Sequence, residues 1–118
     1  MAVEYRHFRA GALTSWDSLF SDVRDFAQTL GSKALIAITH SADRSEGVAT
    51  VWYRGHAGHA AGRERLAYRM FRASSFTPWE TLFAQAAECA STVGAHKVAA
   101  ISHSSDHADG IVVVWYWD

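Results

Sequence analysis

This chain is one pattern written twice. Displacing the sequence by 63 positions lays residues 3–54 on residues 66–117 without a gap, and 21 of the 52 aligned positions are identical. A repeat of this length means that whatever one half folds into, the other folds into as well. Each half, at 52 aligned residues, is marginal for a hydrophobic core of its own. The expectation is therefore one domain over residues 1–118, built from two fused repeats (3–54 and 66–117) that share a core. The Gly/Ala-rich segment 55–65 joins them.

The first segment of each half, Val3–Ala10 and Leu66–Ala73, alternates with a period of two, as a strand does. Thr14-Ser15-Trp16-Asp17 and Thr77-Pro78-Trp79-Glu80 then read as capping boxes. The threonine hydroxyl takes an orphan backbone N–H and the acid sits in the first turn, with Pro78 at the first helical position. The stripe Trp16, Leu19, Phe20, Val23, Phe26, Ala27, Leu30 has the spacing of one helix face. Its echo is Trp79, Leu82, Phe83, Ala86, Cys89, Ala90, Val93. Gly31 and Gly94 are placed to close the two helices in left-handed conformation. Two strands follow in each half, Ala34–Ser41 with Gly47–Arg54 and Lys97–Ser104 with Gly110–Trp117, joined by polar loops. The fold class is α+β, a tandem βαββ repeat of six strands with two helices packed on one face of antiparallel sheet, related by a pseudo-two-fold. The crossover rule and the hairpin together give a strand order of 1-3-2 in each half.

The alternation leaves an apolar surplus. In Gly47–Arg54 the two faces carry Val48, Thr50, Trp52 and Ala49, Val51, Tyr53. In Gly110–Trp117 they carry Ile111, Val113, Trp115, Trp117 and Val112, Val114, Tyr116. A sheet with one wet face is polar there, and these are apolar on both. The helices cover one face. The sibling half, another subunit or a ligand must cover the other. Burying about 300 Å² of such surface is worth roughly 7 kcal/mol, comparable to the whole stability of a small domain.

The duplicated strand–helix–strand–strand order resembles that of the gyrase-inhibitor-like and SOUL haem-binding effector domains. The resemblance is one of element order and spans nearly the whole chain. It implies two repeats curling one antiparallel sheet into a partial barrel with a ligand groove. A single half resembles the dodecin subunit, which implies assembly into flavin-binding shells. Neither resemblance transfers binding residues.

The polar motif common to both halves is His-Ser-x-Asp, in Thr39-His40-Ser41-Ala42-Asp43 and Ser102-His103-Ser104-Ser105-Asp106. A histidine can serve as ligand, base or hydrogen-bond donor, with the acid three residues on to orient it. The plainer role is to shape the loop, since Ser and Asp bond to nearby backbone in turns. Alternation puts His40 with Ile38 and Ile36, and His103 with Ile101 and Ala99. It also turns each serine away from the histidine beside it, so no nucleophile pair forms within a strand. His56 and His59, in the linker, have no copies in the second half. Trp52 and Trp115 head the aromatic set and could line a cleft for a flat or apolar molecule. Arg9 and Arg72 sit near the helix starts, where Asp17 and Glu80 are natural partners.

Some classes are disfavoured. A net charge of −1 offers no bulk attraction to nucleic acid or to anionic membrane, and no apolar run reaches membrane-spanning length. Val3 to Arg6 read as strand rather than as a signal peptide, which makes a cytoplasmic location the expectation. The single cysteine, Cys89, aligns with Phe26 on the helix's apolar face and should be a buried thiol. No motif points to a structural metal, and no cofactor is indicated. The functional expectation is a non-enzymatic module that binds a small apolar or aromatic molecule through His40, Trp52, His103 and Trp115, or that oligomerises. The alternatives are an interaction protein that buries the second sheet face in a homo-oligomer, and a metal- or histidine-dependent enzyme using His40 and His103.

Overall fold

The computed structural model describes residues 2–11, 14–42, 46–55, 64–74, 77–105 and 109–118. Each half is strand–helix–strand–strand: β1 (Val3–Ala10), α1 (Trp16–Leu30), β2 (Leu35–Ala42) and β3 (Gly47–Arg54), then β4 (Leu66–Ser74), α2 (Trp79–Val93), β5 (Val98–Ser105) and β6 (Asp109–Trp117). A single 3₁₀ turn, Ala95–Lys97, precedes β5. The strands form two antiparallel three-stranded sheets with orders β1-β3-β2 and β4-β6-β5, the expected 1-3-2 twice. The hairpin tips that hold Asp43 and Asp106, and the linker pair His56 and His59, lie outside the described residues.

Local chemistry follows the expected elements with three corrections. First, the helix caps sit one residue later. Ser15, not Thr14, caps α1, its Oγ accepting the Ser18 N–H at 3.1 Å. Pro78 is the cap residue of α2 rather than its first helical residue, and it has no side-chain oxygen to offer. In both, the tryptophan opens the helix, which aims its ring back over the sheet. Second, Gly31 and Gly94 do take positive φ, at 78° and 107°. Their ψ angles of 168° and 125° are extended rather than left-handed helical, so each breaks the helix and leads into a short turn before the next strand, the 3₁₀ turn Ala95–Lys97 in the second half. Third, a β-bulge interrupts β2 between Leu35 and Ala37, and its copy interrupts β5 between Val98 and Ala100. The extra residue breaks the alternation, so Ile36 is exposed while Ile38 and His40 stay on the buried helix side.

Glycine at the start of β3 and within β6 gives the tryptophan rings room to lie close over the strand. A Cβ on Gly47 would come within 3.1 Å of the Trp16 ring, and one on Gly110 within 3.0 Å of the Trp79 ring. The arginines settle differently from expectation. Arg9 pairs with Glu46 at 2.9 Å rather than with Asp17, and Arg6 lies over the rings of Phe8 and Phe26.

The layering decides where the core sits. Helix α2 packs on one face of the second sheet, with Leu82, Ala86 and Cys89 against Val112 and Val114. The opposite face of that sheet, with Leu66, Ile111, Val113 and Trp115, joins a cluster with Leu19, Phe20, Val23 and Leu30 of α1 and with Ala49 and Val51 of the first sheet. The sibling half thus supplies the cover that the apolar surplus demands: the second sheet carries a helix on each face, and α1 lies between two sheets. The sheets adjoin where β2 runs beside β5. The outer face of the first sheet has no such cover among the described residues. Among the described residues, no helix is long and apolar enough to cross a membrane.

Candidate functional site

The contact between the halves is built from one aromatic–histidine set on the first half and one matching set on the second. On the helix side of the first half, Trp16 stacks on Phe20 (centroids 5.3 Å apart, planes at 21°). Both lean on the His40 ring, at 5.8 and 5.0 Å. Helix spacing places Trp16 and Phe20 one above the other, and β2 brings His40 beneath them. On the far face of the second sheet, Tyr68 and Trp115 are directly opposite each other in register, with centroids 5.2 Å apart. The Trp115 indole N–H donates to Ser102 Oγ at 3.1 Å.

The two sets interlock. Phe20 meets Tyr68 and Trp115 edge-on at 5.9 and 5.6 Å. The Tyr68 hydroxyl donates to Asp17 Oδ1 at 3.1 Å; burial, with the Asp17 carboxylate second, raises its pKa. His40 Nδ1 lies 2.7 Å from Ser104 Oγ, a hydrogen bond whose direction follows the ring tautomer. Each serine turns away from the histidine on its own strand, as alternation requires, and Ser104 instead serves the histidine of the other half.

His40 is only 8% exposed. Burial, reinforced by His103 and partly opposed by the Ser102 backbone carbonyl, pulls its pKa from 6.5 down to about 4. The imidazole is therefore neutral near pH 7. Its Nε2 is buried without a hydrogen-bond partner among the described residues.

The second half builds the same helix-side set and the first half builds the same far-face set, and both stand open. Trp79 stacks on Phe83 at 5.5 Å and 21°, with His103 at 5.6 and 5.4 Å from the two rings. Tyr5 sits opposite Trp52, 5.5 Å away at 41°. The Trp52 indole donates to Thr39 Oγ1 at 3.3 Å. Yet Phe20 is 0% exposed and Phe83 43%; Trp115 is 0% exposed and Trp52 38%.

Of the four residues expected to bind a ligand, His40 and His103 are brought together at the junction of β2 and β5. They line a shared open groove of about 530 Å³ with Ser41, Ser104, Trp79 and Phe83. Trp52 stands on the uncovered outer sheet face and Trp115 is enclosed between the halves, so the two tryptophans do not share a cleft. Among the described residues no three His, Cys, Asp or Glu side chains gather as a metal site. Cys89 is buried and free.

Reading the sequence alone treats Phe20 and Phe83 as core stripe, Tyr5 and Tyr68 as strand, and Ser41 and Ser104 as loop chemistry. The signal in the residues is that all three pairs are identical across the repeat, against 21 identities in 52 aligned positions. No protein-family model matches this chain, no curated protein is significantly similar to it, and no solved structure matches it.

Proposed function

We propose that this chain is a non-catalytic, self-assembling module in which a second copy covers the outer face of the first sheet. One observation carries this reading. Tyr5 and Trp52 stand in water, whereas their repeat equivalents Tyr68 and Trp115 lie at the centre of the contact between the halves. Contiguous exposed aromatic and aliphatic surface of this kind marks an interaction site. Sedimentation velocity over a concentration series tests it: the sedimenting mass is expected to rise above the 13.0 kDa of one chain. A single-chain mass at the highest attainable concentration would end the reading.

A second reading has its own support. The groove reaches His40, whose Nε2 lacks a partner among the described residues, and its walls include the rings of Trp79 and Phe83. A small flat apolar molecule with one hydrogen-bonding group would suit both features. It stands second because those same rings are surface that an assembling partner would cover. Titrating tryptophan fluorescence with indole discriminates: saturable quenching lost in His40→Phe supports the groove, and a flat response counts against it.

A further inference from the structure

Resting on the reading that a second copy covers the first sheet, we propose that the copies join head to tail. The Trp79–Phe83–His103 face of one chain seats on the Tyr5–Trp52–Ser41 face of the next. This repeats between chains the contact that joins the halves within one.

Three observations converge on this geometry. The first is the identity of the uncovered groups. The large exposed hydrophobics among the described residues are Val3, Tyr5, Ile36 and Trp52, on the outer face of the first sheet, and Trp79, Phe83 and Ile101, on the helix side of the second half. No other large hydrophobic side chain among the described residues is exposed to that degree. Pairing the two first sheets face to face would cover the former set and leave the latter wet; a head-to-tail contact covers both.

The second is chemical equivalence. Each principal partner in the internal contact has its counterpart on the open surfaces. Phe83 stands for Phe20, Tyr5 and Trp52 for Tyr68 and Trp115, His103 and Ser41 for His40 and Ser104, and Glu80 for Asp17. Five of the six are identical and the sixth keeps its charge. The hydrogen bond between Tyr68 and Asp17 can therefore recur as Tyr5 with Glu80 across chains, while Ser41 and His103 already share one groove within each chain.

The third is preorganisation. The stacking angle of Trp79 on Phe83 equals that of Trp16 on Phe20, 21°. The Tyr5–Trp52 and Tyr68–Trp115 pairs are both tilted by 41°. On both open surfaces the ring pairs hold the geometry of their enclosed counterparts, which lowers the cost of ordering side chains on association.

The internal contact is also directional. Had the halves closed on each other with both contacts made, His103 and Phe83 would be as buried as His40 and Phe20. Instead each chain keeps one open helix side and one open sheet face. Such a heterologous contact propagates, into a ring if its rotation closes and into a filament if it does not.

Complementation tests the polarity. Tyr5→Glu breaks the sheet face and leaves the helix side intact; Phe83→Glu does the reverse. Both sites are exposed, and far-UV circular dichroism verifies the fold. Each variant alone is expected to sediment as a single chain, and an equal mixture as a one-to-one pair. A Phe83→Glu protein that assembles like wild type would overturn the head-to-tail arrangement while sparing self-assembly, as would a mixture that stays monomeric beside an assembling wild type. A wild type that never assembles removes the underlying reading as well. Gentler variants give a second measure. Tyr5→Phe and Glu80→Ala are each expected to weaken association about fivefold, the worth of one hydrogen bond. The double variant should be no weaker than the weaker single. Fully additive losses would show that the two side chains do not meet.

Discussion

Helix α1 and helix α2 descend from one pattern and live in different surroundings. α1 buries Leu19, Phe20, Val23, Ala27 and Leu30 because a sheet lies on each side of it. α2 buries only Leu82, Ala86 and Cys89, the residues that face its own sheet. The same contrast runs through the strands: Trp115 is enclosed while Trp52 is half in water, and His40 is enclosed while His103 is exposed. Amphipathic pattern specifies the face that meets the element's own half. It leaves undetermined whether a second face is also covered, and that difference separates a core from an interface.

The sharpest way to break the comparison is to truncate the equivalent tryptophans. Trp115→Ala should destabilise the fold by about 3–5 kcal/mol, as removal of a buried large aromatic does. Trp52→Ala should cost roughly 1 kcal/mol at low protein concentration, since much of that ring is already solvated. Urea unfolding monitored by circular dichroism reads both, and equal costs in the dilute protein would refute the claimed asymmetry.

Next in size is a pH effect carried by His40. With a folded pKa of about 4 against 6.5 unfolded, the unfolded chain binds more protons between those values. Stability therefore rises with pH through that window and levels off above it. Acidification from pH 7 to below 4 should remove up to roughly 3 kcal/mol through this one group. His40→Phe should flatten the urea midpoint over that range. A slope unchanged in His40→Phe would show that the carboxylates, not this imidazole, set the acid limb.

The smallest contrast lies in the serines. Ser104→Ala removes the partner of a buried imidazole and should cost about 1–2 kcal/mol. Ser41→Ala, at an exposed position, should change the stability of the single chain by less than about 0.5 kcal/mol. Parity between them would mean that the 2.7 Å contact of His40 with Ser104 contributes nothing of its own.

Much of this was legible from residues. The doubled stripes from Trp16 to Leu30 and from Trp79 to Val93, the strand alternations and the paired glycines gave the elements and the 1-3-2 order, because period and capping are local properties. The excess of apolar residues on both strand faces announced that a second cover was needed. The bulges at Ile36 and Ala99 were not legible, since a bulge is set by pairing with the neighbouring strand, nor were the shifted caps. Nor was the partnership of His40 with Ser104, which lie 64 positions apart. The repeat marked both residues as worth keeping, yet within each strand they point to opposite faces, and only packing of one half on the other brings them together.

By itself, then, the order of residues determined two βαββ units with more apolar surface than their own helices can hide. Periodicity acts over a few residues and cannot encode which distant surface satisfies it. Tertiary structure decided that α1 would be the shared filling and that α2 and the first sheet would each keep a face uncovered. In this chain the two similar halves meet through unlike surfaces and make only one of their two possible contacts, burying Phe20 and Trp115 and leaving Phe83 and Trp52 exposed.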